Sequence, residues 1–194
     1  MRSDRVGKAS RPGAPWAFRM LILGSLATAG CATTTTARLH LGPLPTVPYV
    51  DVERYLGTWY EIAAFPKWFE RGFTSTTATY SLRPDGQLDV LNRCRKGSVD
   101  GPENVAKGRA KVVDRVTHAK LEVSFFRPFW GDYWIIDLGS GYEYAVVSDP
   151  GRDSLWILSR TPTLNAPLYE ALLARLRGQG YEVDRLVRTS QPGG

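Results

Sequence analysis

The chain has 194 residues, of which 43% are hydrophobic and 11% aromatic. That is enough for one domain whose core needs no disulfide support. The formal net charge is +6 at pH 7, but residues 1–30 hold five basic residues against one acidic residue and so account for four of the six charges. The basic balance therefore belongs mostly to the N-terminus and argues against a nucleic-acid-binding face.

Residues 1–30 have the parts of an export signal. A basic region is followed by the apolar run Met20–Ala27, which is shorter than the roughly 20 residues that a membrane-spanning helix needs. The next residues, Leu26-Ala27-Thr28-Ala29-Gly30-Cys31, resemble the lipobox of bacterial lipoproteins. The resemblance implies acylation of Cys31, and Ala32 after it implies sorting to the outer membrane. Ordinary cleavage after Ala29, which would release a soluble protein, is the alternative.

Residues 31–50 are predicted to be a tether. The run Thr33–Thr36 and the later prolines are typical of a semi-extended spacer. Cys31 and Cys94 are the two cysteines of the chain. If Cys31 carries lipid, Cys94 has no partner within the chain; if it does not, a Cys31–Cys94 bridge stays open.

The body, residues 51–189, is predicted to be all-β with one helix, and residues 190–194 a tail. Turn signals such as Asp85-Gly86 and Pro150-Gly151 separate short strand-like runs. These runs are Thr58–Phe65, Thr74–Leu82, Leu88–Arg95, Val105–Val113, Ala119–Phe126, Tyr133–Leu138, Tyr142–Ser148 and Leu155–Arg160. A helix capped by Asn165, with a leucine stripe at 168, 172, 173 and 176, follows them, and Glu182–Val187 is predicted to be a final short strand.

Eight short strands at this spacing predict an up-and-down antiparallel barrel, because closure removes exposed edges. We expect the helix to pack outside the barrel, over Tyr144–Val147 and Leu155–Leu158, which are apolar on both faces. In this topology the first strand starts where the eighth ends, so that Trp59 lies beside Arg160. Their stacking would close that end and leave the other end as the mouth.

The run Gly57-Thr58-Trp59-Tyr60, Arg160 in Leu158–Pro162, the strand count and the late helix together resemble the lipocalins. The stretches Val123–Gly131 and Leu155–Thr163 are similar to the bacterial outer-membrane lipoprotein lipocalins, and the resemblance covers about residues 51–192. It implies binding of a fatty acid or a (lyso)phospholipid for transport, storage or maintenance of the envelope. The protein would be lipid-anchored at the outer membrane and face the periplasm. Trp59 and Arg160 would close the barrel without touching ligand.

Strand alternation assigns a lining to the barrel interior, because every second side chain faces the same way. Apolar side chains alternate with charged ones in the fifth strand, and small residues such as Ala106 and Gly108 would leave room for one ligand. Ordinary core packing is the alternative for each residue. The predicted ligand-binding residues are Ala78, Tyr80, Val90, Asn92, Ala110, Leu121, Val123, Phe125, Trp134 and Ile136.

Two loops at the predicted mouth are rich in aromatic residues, namely residues 66–73 and 127–130. Both also hold basic residues, among them Lys67, Arg71 and Arg127. Exposed aromatic rings beside these cations would suit contact with lipid headgroups or with a partner surface. The alternative is that the loops fold inward as a lid.

Catalysis would need a nucleophile or an acid–base pair, and the sequence offers little for either. His40 lies in the tether, His118 lies in a predicted turn, and no metal-ligand cluster stands out. Cys94, predicted to face inward, is the one candidate nucleophile. We therefore expect a binding protein without a cofactor, a metal or a nucleic-acid partner. A structural lipoprotein whose interior is filled by side chains is the other alternative, and association into a homodimer stays open.

Overall fold

A computed structural model describes residues 41–67 and 72–193. The predicted signal segment, Cys31, His40 and the tether up to residue 40 lie outside the described residues, as do residues 68–71 of the first mouth loop. Within the described ranges, every helix is too short or too polar to cross a bilayer.

The eight predicted strands and the late helix occur in the predicted order, and a short helix before the first strand and a 3₁₀ turn, which the sequence does not predict, are added to them. The described elements are α1 (Val52–Tyr55), β1 (Gly57–Ala64), β2 (Phe73–Leu82), β3 (Leu88–Lys96), β4 (Glu103–Val112), β5 (Lys120–Ser124), β6 (Gly131–Leu138), β7 (Tyr144–Ser148), β8 (Leu155–Ser159), α2 (Ala166–Gly178), a 3₁₀ turn (Val183–Arg185) and β9 (Val187–Arg188). Consecutive strands from β1 to β8 pair antiparallel, and β8 returns to β1. The predicted eight-stranded up-and-down barrel is confirmed, with β9 as one extra strand.

The final strand is much shorter than the sequence predicts. Residues 183–185 form a 3₁₀ turn, because the N–H groups of Arg185 and Leu186 bond back to the carbonyl oxygens of Glu182 and Val183. Only Val187–Arg188 is extended and pairs, with β1.

The mouth lies opposite the end where β1 begins. Tyr60 near the start of β1 pairs with Ser159 at the end of β8, so these two termini share the closed end. Because the strands meander, the β1–β2, β3–β4, β5–β6 and β7–β8 loops share the other end, which is the predicted mouth.

The C-terminal segment completes the barrel wall. β1 pairs with β2 only from Gly57 to Tyr60, and its second half pairs with β9 instead. Gln191 bridges the two strands above this point: Nε2 donates to the carbonyl oxygens of Glu61 on β1 (2.8 Å) and Thr76 on β2 (2.9 Å). Residue 191 therefore belongs to the folded body, although the sequence analysis assigns it to a tail.

Residues 41–50 run along the outside of the barrel from the mouth to the closed end. At the mouth, Arg152 of the β7–β8 turn donates to the Gly42 carbonyl at 3.4 Å. At the closed end, the Val50 N–H donates to the Thr117 carbonyl at 2.7 Å. Leu44 and Val50 are 4% and 1% exposed, so the packed body begins before residue 51, the predicted boundary.

Two apolar clusters lie on the two sides of the barrel wall. The inner cluster fills the closed end of the barrel around Trp59 and Leu88. The outer cluster joins Leu172 of α2 to Val146 of β7 and Ile157 of β8. As predicted, α2 packs outside the barrel over strands that are apolar on both faces, and the Asn165 side chain caps it by accepting from the Leu168 N–H at 2.9 Å.

The prediction that Trp134 and Ile136 line the interior is wrong. Both pack in the outer cluster beneath α2, and the Lys120 ammonium lies 4.1 Å from the Trp134 ring centroid on the outer wall. Their neighbours Tyr133 and Ile135 belong to the inner cluster instead. The helix makes both faces of β6 apolar, so alternation cannot tell the inner face from the outer one.

Candidate functional site: the barrel interior

Arg160 and Trp59 form the plug of the closed end. The guanidinium carbon lies 3.8 Å from the indole centroid. The same guanidinium donates to the carbonyl oxygens of Arg54 (2.7 Å) and Thr58 (3.0 Å), which ties α1 to β1. Trp59 is fully buried, and its Nε1–H donates to the Tyr55 carbonyl at 2.9 Å. The predicted meeting of Trp59 and Arg160 is confirmed.

Gly57, two residues before Trp59, allows the closed end to pack tightly. Gly57 has φ of +90°, a conformation that residues with a Cβ rarely adopt. A Cβ there would also approach Arg160 Nη1 to 3.4 Å. Glycine therefore allows both the backbone turn from α1 into β1 and the close seating of the guanidinium.

Three tyrosines form a hydroxyl cluster above the plug. The Tyr55 hydroxyl lies 2.8 Å from that of Tyr133, and Tyr80 donates to the same Tyr133 oxygen at 3.0 Å. Burial raises the pKa of Tyr80 to about 12, and it raises the pKa values of Tyr55 and Tyr133 well above their ordinary range. All three hydroxyls stay protonated at neutral pH. Two hydrogen bonds use two of the three protons, so the cluster keeps one O–H able to donate to a bound molecule.

The interior opens from the closed end toward the mouth. On β4, Ala110 is fully buried whereas Ala106, two inward positions nearer the mouth, is exposed. On β3, Leu88 and Val90 are buried whereas Asn92 is partly exposed. The closed-end half is therefore packed core, and the inward positions nearer the mouth are less buried. This gradient suits one elongated apolar molecule that enters from the mouth.

Asn92 adds a polar group to this wall. Its Oδ1 is buried and has no hydrogen-bond partner among the described residues. Its cross-strand neighbours on the same face are Ala78 and Ala106, whose side chains carry no donor. A buried amide oxygen without a partner is able to accept a hydrogen bond from the polar part of a ligand.

Gly108 gives Phe125 room against the wall. A Cβ at position 108 would lie 2.8 Å from Phe125 Cδ1. Because glycine lacks that atom, the ring can rest on the β4 backbone instead of projecting further into the barrel.

The structure places most of the predicted lining residues on the inner face. Ala78, Tyr80, Val90, Ala110, Leu121, Val123 and Phe125 belong to the inner cluster, and Asn92 shares a face with Val90. Their contact with a ligand stays a prediction. Strand alternation does not identify Tyr55 and Tyr133: Tyr55 precedes the first strand, where alternation does not apply, and Tyr133 lies on the strand that is apolar on both faces.

Cys94 and the histidine of the described chain lie far apart. Cys94 is 8% exposed and near the mouth end of β3, with its Sγ 3.9 Å from the Asn104 carbonyl oxygen. His118 lies in the β4–β5 turn at the closed end, where its Nδ1 is 3.3 Å from the Val50 carbonyl. Across the described ranges, no group of three or more His, Cys, Asp or Glu side chains could hold a metal ion.

The second aromatic mouth loop points outward. Phe126 and Phe129 in the β5–β6 connection are 81% and 76% exposed. The alternative that these rings fold inward as a lid is therefore not what the structure shows for this loop.

Comparison with known proteins decides the family. Residues 50–191 match the lipocalin-like domain. The chain belongs to the lipocalin family. The lipocalin is 42% identical over 181 residues to the outer membrane lipoprotein Blc of Escherichia coli (strain K12), which covers 91% of this chain and 99% of that protein. It is 48% identical over 145 residues to Blc of Citrobacter freundii, covering 74% and 80%. Apolipoprotein D of Mus musculus is 39% identical over 186 residues, covering 89% and 94%.

Solved structures share the fold of this lipocalin at much lower identity. Insecticyanin from the tobacco hornworm Manduca sexta superposes with a TM-score of 0.61 at 18% identity, covering 76% of this chain and 84% of that one. Apocrustacyanin C2 superposes with a TM-score of 0.58 at 18% identity, covering 73% and 79%. At this identity the likeness concerns the barrel and its helix alone.

Proposed function

We propose that this lipocalin binds one fatty acid or (lyso)phospholipid in its barrel and carries or stores it in the cell envelope. The observation that carries the proposal is the shape of the interior. Side chains fill the barrel around Trp59, and nearer the mouth one inner wall consists of the adjacent residues Ala78, Asn92 and Ala106, none of which is fully buried. An acyl chain would lie along this wall, with polar atoms within reach of Asn92 or of the tyrosine hydroxyls.

We further propose that the protein is anchored to the outer membrane through acyl chains on Cys31 and faces the periplasm. The lipobox-like run Leu26–Cys31 supports the anchor. The names of the relatives from Escherichia coli and Citrobacter freundii, both called outer membrane lipoprotein, support the location.

Binding without catalysis is the activity that we propose. Cys94 is the candidate nucleophile, and it lies at the opposite end of the barrel from His118.

Native mass spectrometry on the protein purified from bacterial membranes tests the ligand. We expect a mass increment of one fatty acid or phospholipid per chain, lost after solvent extraction and restored by added oleate or lysophosphatidylethanolamine. The same spectra report whether the protein is a homodimer. A protein that carries no lipid from the cell and binds neither added lipid would instead support a structural lipoprotein.

A further inference from the structure

We propose that the mouth of this barrel docks on a phospholipid bilayer containing anionic headgroups, with residues 125–130 of the β5–β6 loop entering the headgroup region. The inference rests on the proposed envelope function and adds to it an orientation, since ligand would then pass between barrel and membrane without crossing water. Three independent features carry it: an apolar tip, a basic sector and the place where the tether joins the barrel.

The apolar tip consists of Phe126 and Phe129. The Phe129 N–H donates to the Phe126 carbonyl at 2.9 Å, which closes a tight turn and presents both rings on its outside. The rings are 81% and 76% exposed. Two large apolar side chains at one loop tip are costly to leave in water, and they are the kind of group that inserts at a membrane interface.

The basic sector lies directly beside this tip. Lys107, Arg109 and Arg127 line one depression beside Phe125, together with the single acidic residue Asp89. Asp89 is already paired with Arg83 at 2.8 Å. Among the described residues, none of the three cations has a carboxylate within ion-pair distance, although Arg109 lies near enough to Asp85 to help lower the pKa of that carboxyl. Lys107 and Arg127 therefore offer the charge most available to anionic headgroups.

Three acidic residues of the mouth lie on other loops, while Asp132 is exposed at the start of β6, directly after the β5–β6 loop. Asp100 belongs to the β3–β4 loop, and Asp149 and Asp153 belong to the β7–β8 loop. The Asp149 carboxylate is engaged in its own turn, where it accepts from the Gly151 N–H at 2.9 Å. The barrel would therefore meet the bilayer tilted, with the β4–β5–β6 sector closest to the lipid.

The tether joins the barrel at this same end. Gly42 is held by Arg152 of the β7–β8 turn, and the Leu41 side chain lies against Gly180. Ten residues separate Leu41 from Cys31, a span of at most about 35 Å when fully extended. An acylated Cys31 thus keeps the mouth near the membrane. Docking by the closed end would require the tether to run back along the whole barrel.

Depth-sensitive fluorescence tests the orientation. The full chain is expressed with Phe129→Cys or Val116→Cys, labelled with nitrobenzoxadiazole, and added to vesicles of phosphatidylethanolamine and phosphatidylglycerol. Val116 is the matched control, because it is an apolar residue 82% exposed in the β4–β5 turn at the closed end. The unsubstituted chain reports any background labelling of Cys31 and of the buried Cys94.

We expect the probe at position 129 to shift its emission to the blue and to be quenched by spin-labelled lipid, and the probe at position 116 to do neither. Equal quenching at both positions, quenching at 116 alone, or a probe at 129 that stays in water overturns the proposal. A shift at 129 that needs added periplasmic proteins rather than vesicles would identify a protein partner and also overturn it.

Substitutions in the β5–β6 loop separate the contribution of the apolar tip to vesicle binding from that of the basic sector. Phe126→Ser with Phe129→Ser in the Cys31→Ser background should weaken vesicle binding by roughly tenfold or more, and Arg127→Glu should abolish the preference for phosphatidylglycerol over phosphatidylcholine vesicles. Val116→Ser should change neither. Lipid-probe binding inside the barrel is measured on the same proteins: its loss everywhere would defeat the proposed carrier function, while the contrast between positions 129 and 116 would still decide the docking.

Discussion

Arg160 stabilises the barrel without forming part of the ligand space. It stacks on Trp59 at 3.8 Å and donates to three backbone carbonyls of the closed end, those of Arg54, Thr58 and Tyr142. We expect Arg160→Ala to lower the free energy of unfolding by about 2–3 kcal/mol and to leave lipid affinity unchanged. Arg160→Lys should lose most of the same stability, because an ammonium cannot reproduce the planar fork. Urea unfolding and lipid titration on the three proteins check this; retained stability with lost binding would place Arg160 at the ligand.

Ala106 offers the sharpest test of the ligand space. It faces inward and is exposed, so Ala106→Trp should fill the mouth half without straining packed core and should weaken binding of a long-chain lipid probe by roughly tenfold or more. Val105→Trp, on the outer face one residue along and 42% exposed, should bind as the parent does. Ala110 is a poorer choice, because it is fully buried between Leu88 and Val123. Equal behaviour of the Ala106 and Val105 variants in a fluorescence titration would contradict the carrier proposal.

The tyrosine cluster predicts a loss of stability in alkali. Burial raises the pKa of Tyr80 from its ordinary 10.0 to about 12, so the folded state holds its proton where the unfolded state releases it. The stabilising contribution is complete below pH 10 and is lost as the pH rises from about 10 toward 12. In urea unfolding across this range, Tyr80→Phe should flatten the decline, whereas Tyr49→Phe, at a residue 55% exposed, should not. An identical decline in both variants would contradict the assignment to the cluster.

At the scale of elements, alternation predicts the inner face wherever one side of a strand meets water. In β5, the charged side chains of Lys120 and Glu122 mark the outer face, so Leu121 and Val123 are placed correctly. In β6, Trp134 and Ile136 are as apolar as Tyr133 and Ile135, since α2 covers the outer wall. The inner face of β6 cannot be assigned from sequence, because the helix that covers its outer face begins 30 residues further along the chain. Only the tertiary structure shows where that helix packs.

Helix α2 is held to the wall by an apolar stripe and one ion pair. Leu172 is fully buried in the outer cluster, and Arg175 Nε donates to Asp137 on β6 at 2.7 Å. We expect Leu172→Ala to cost about 2–5 kcal/mol of stability and to leave lipid binding unchanged at temperatures where the protein stays folded. Glu170→Ala, on the exposed side of the helix, should change stability by less than about 0.5 kcal/mol. Thermal melts and lipid titrations check both; loss of binding by a folded Leu172→Ala protein would show that the outer cluster reaches the ligand.

At the scale of the molecule, sequence predicts the topology and the position of the mouth, because strand count and turn signals are local. It does not predict how the barrel is completed. Gln191 closes the gap between β1 and β2 through two backbone carbonyls, and nothing in a polar C-terminal residue signals a partner more than a hundred residues away. The course of residues 41–50 along the outer wall is hidden for the same reason, since a proline-rich segment is typical of a spacer whether or not it packs.

A single side chain, that of Cys31, would control whether the protein is attached to the membrane. If Cys31 is acylated, Cys31→Ser should remove the acyl chains and release the protein from the membrane fraction while leaving the melting temperature of the barrel unchanged. Metabolic labelling with a fatty acid should mark the parent and not the variant. Cys94→Ser is the matched control: Cys94 is buried within the barrel wall, so labelling should persist in that variant. Label that survives Cys31→Ser would refute the anchor, and an unlabelled parent would indicate ordinary cleavage after Ala29, with the rim of the mouth left as the remaining means of reaching a bilayer.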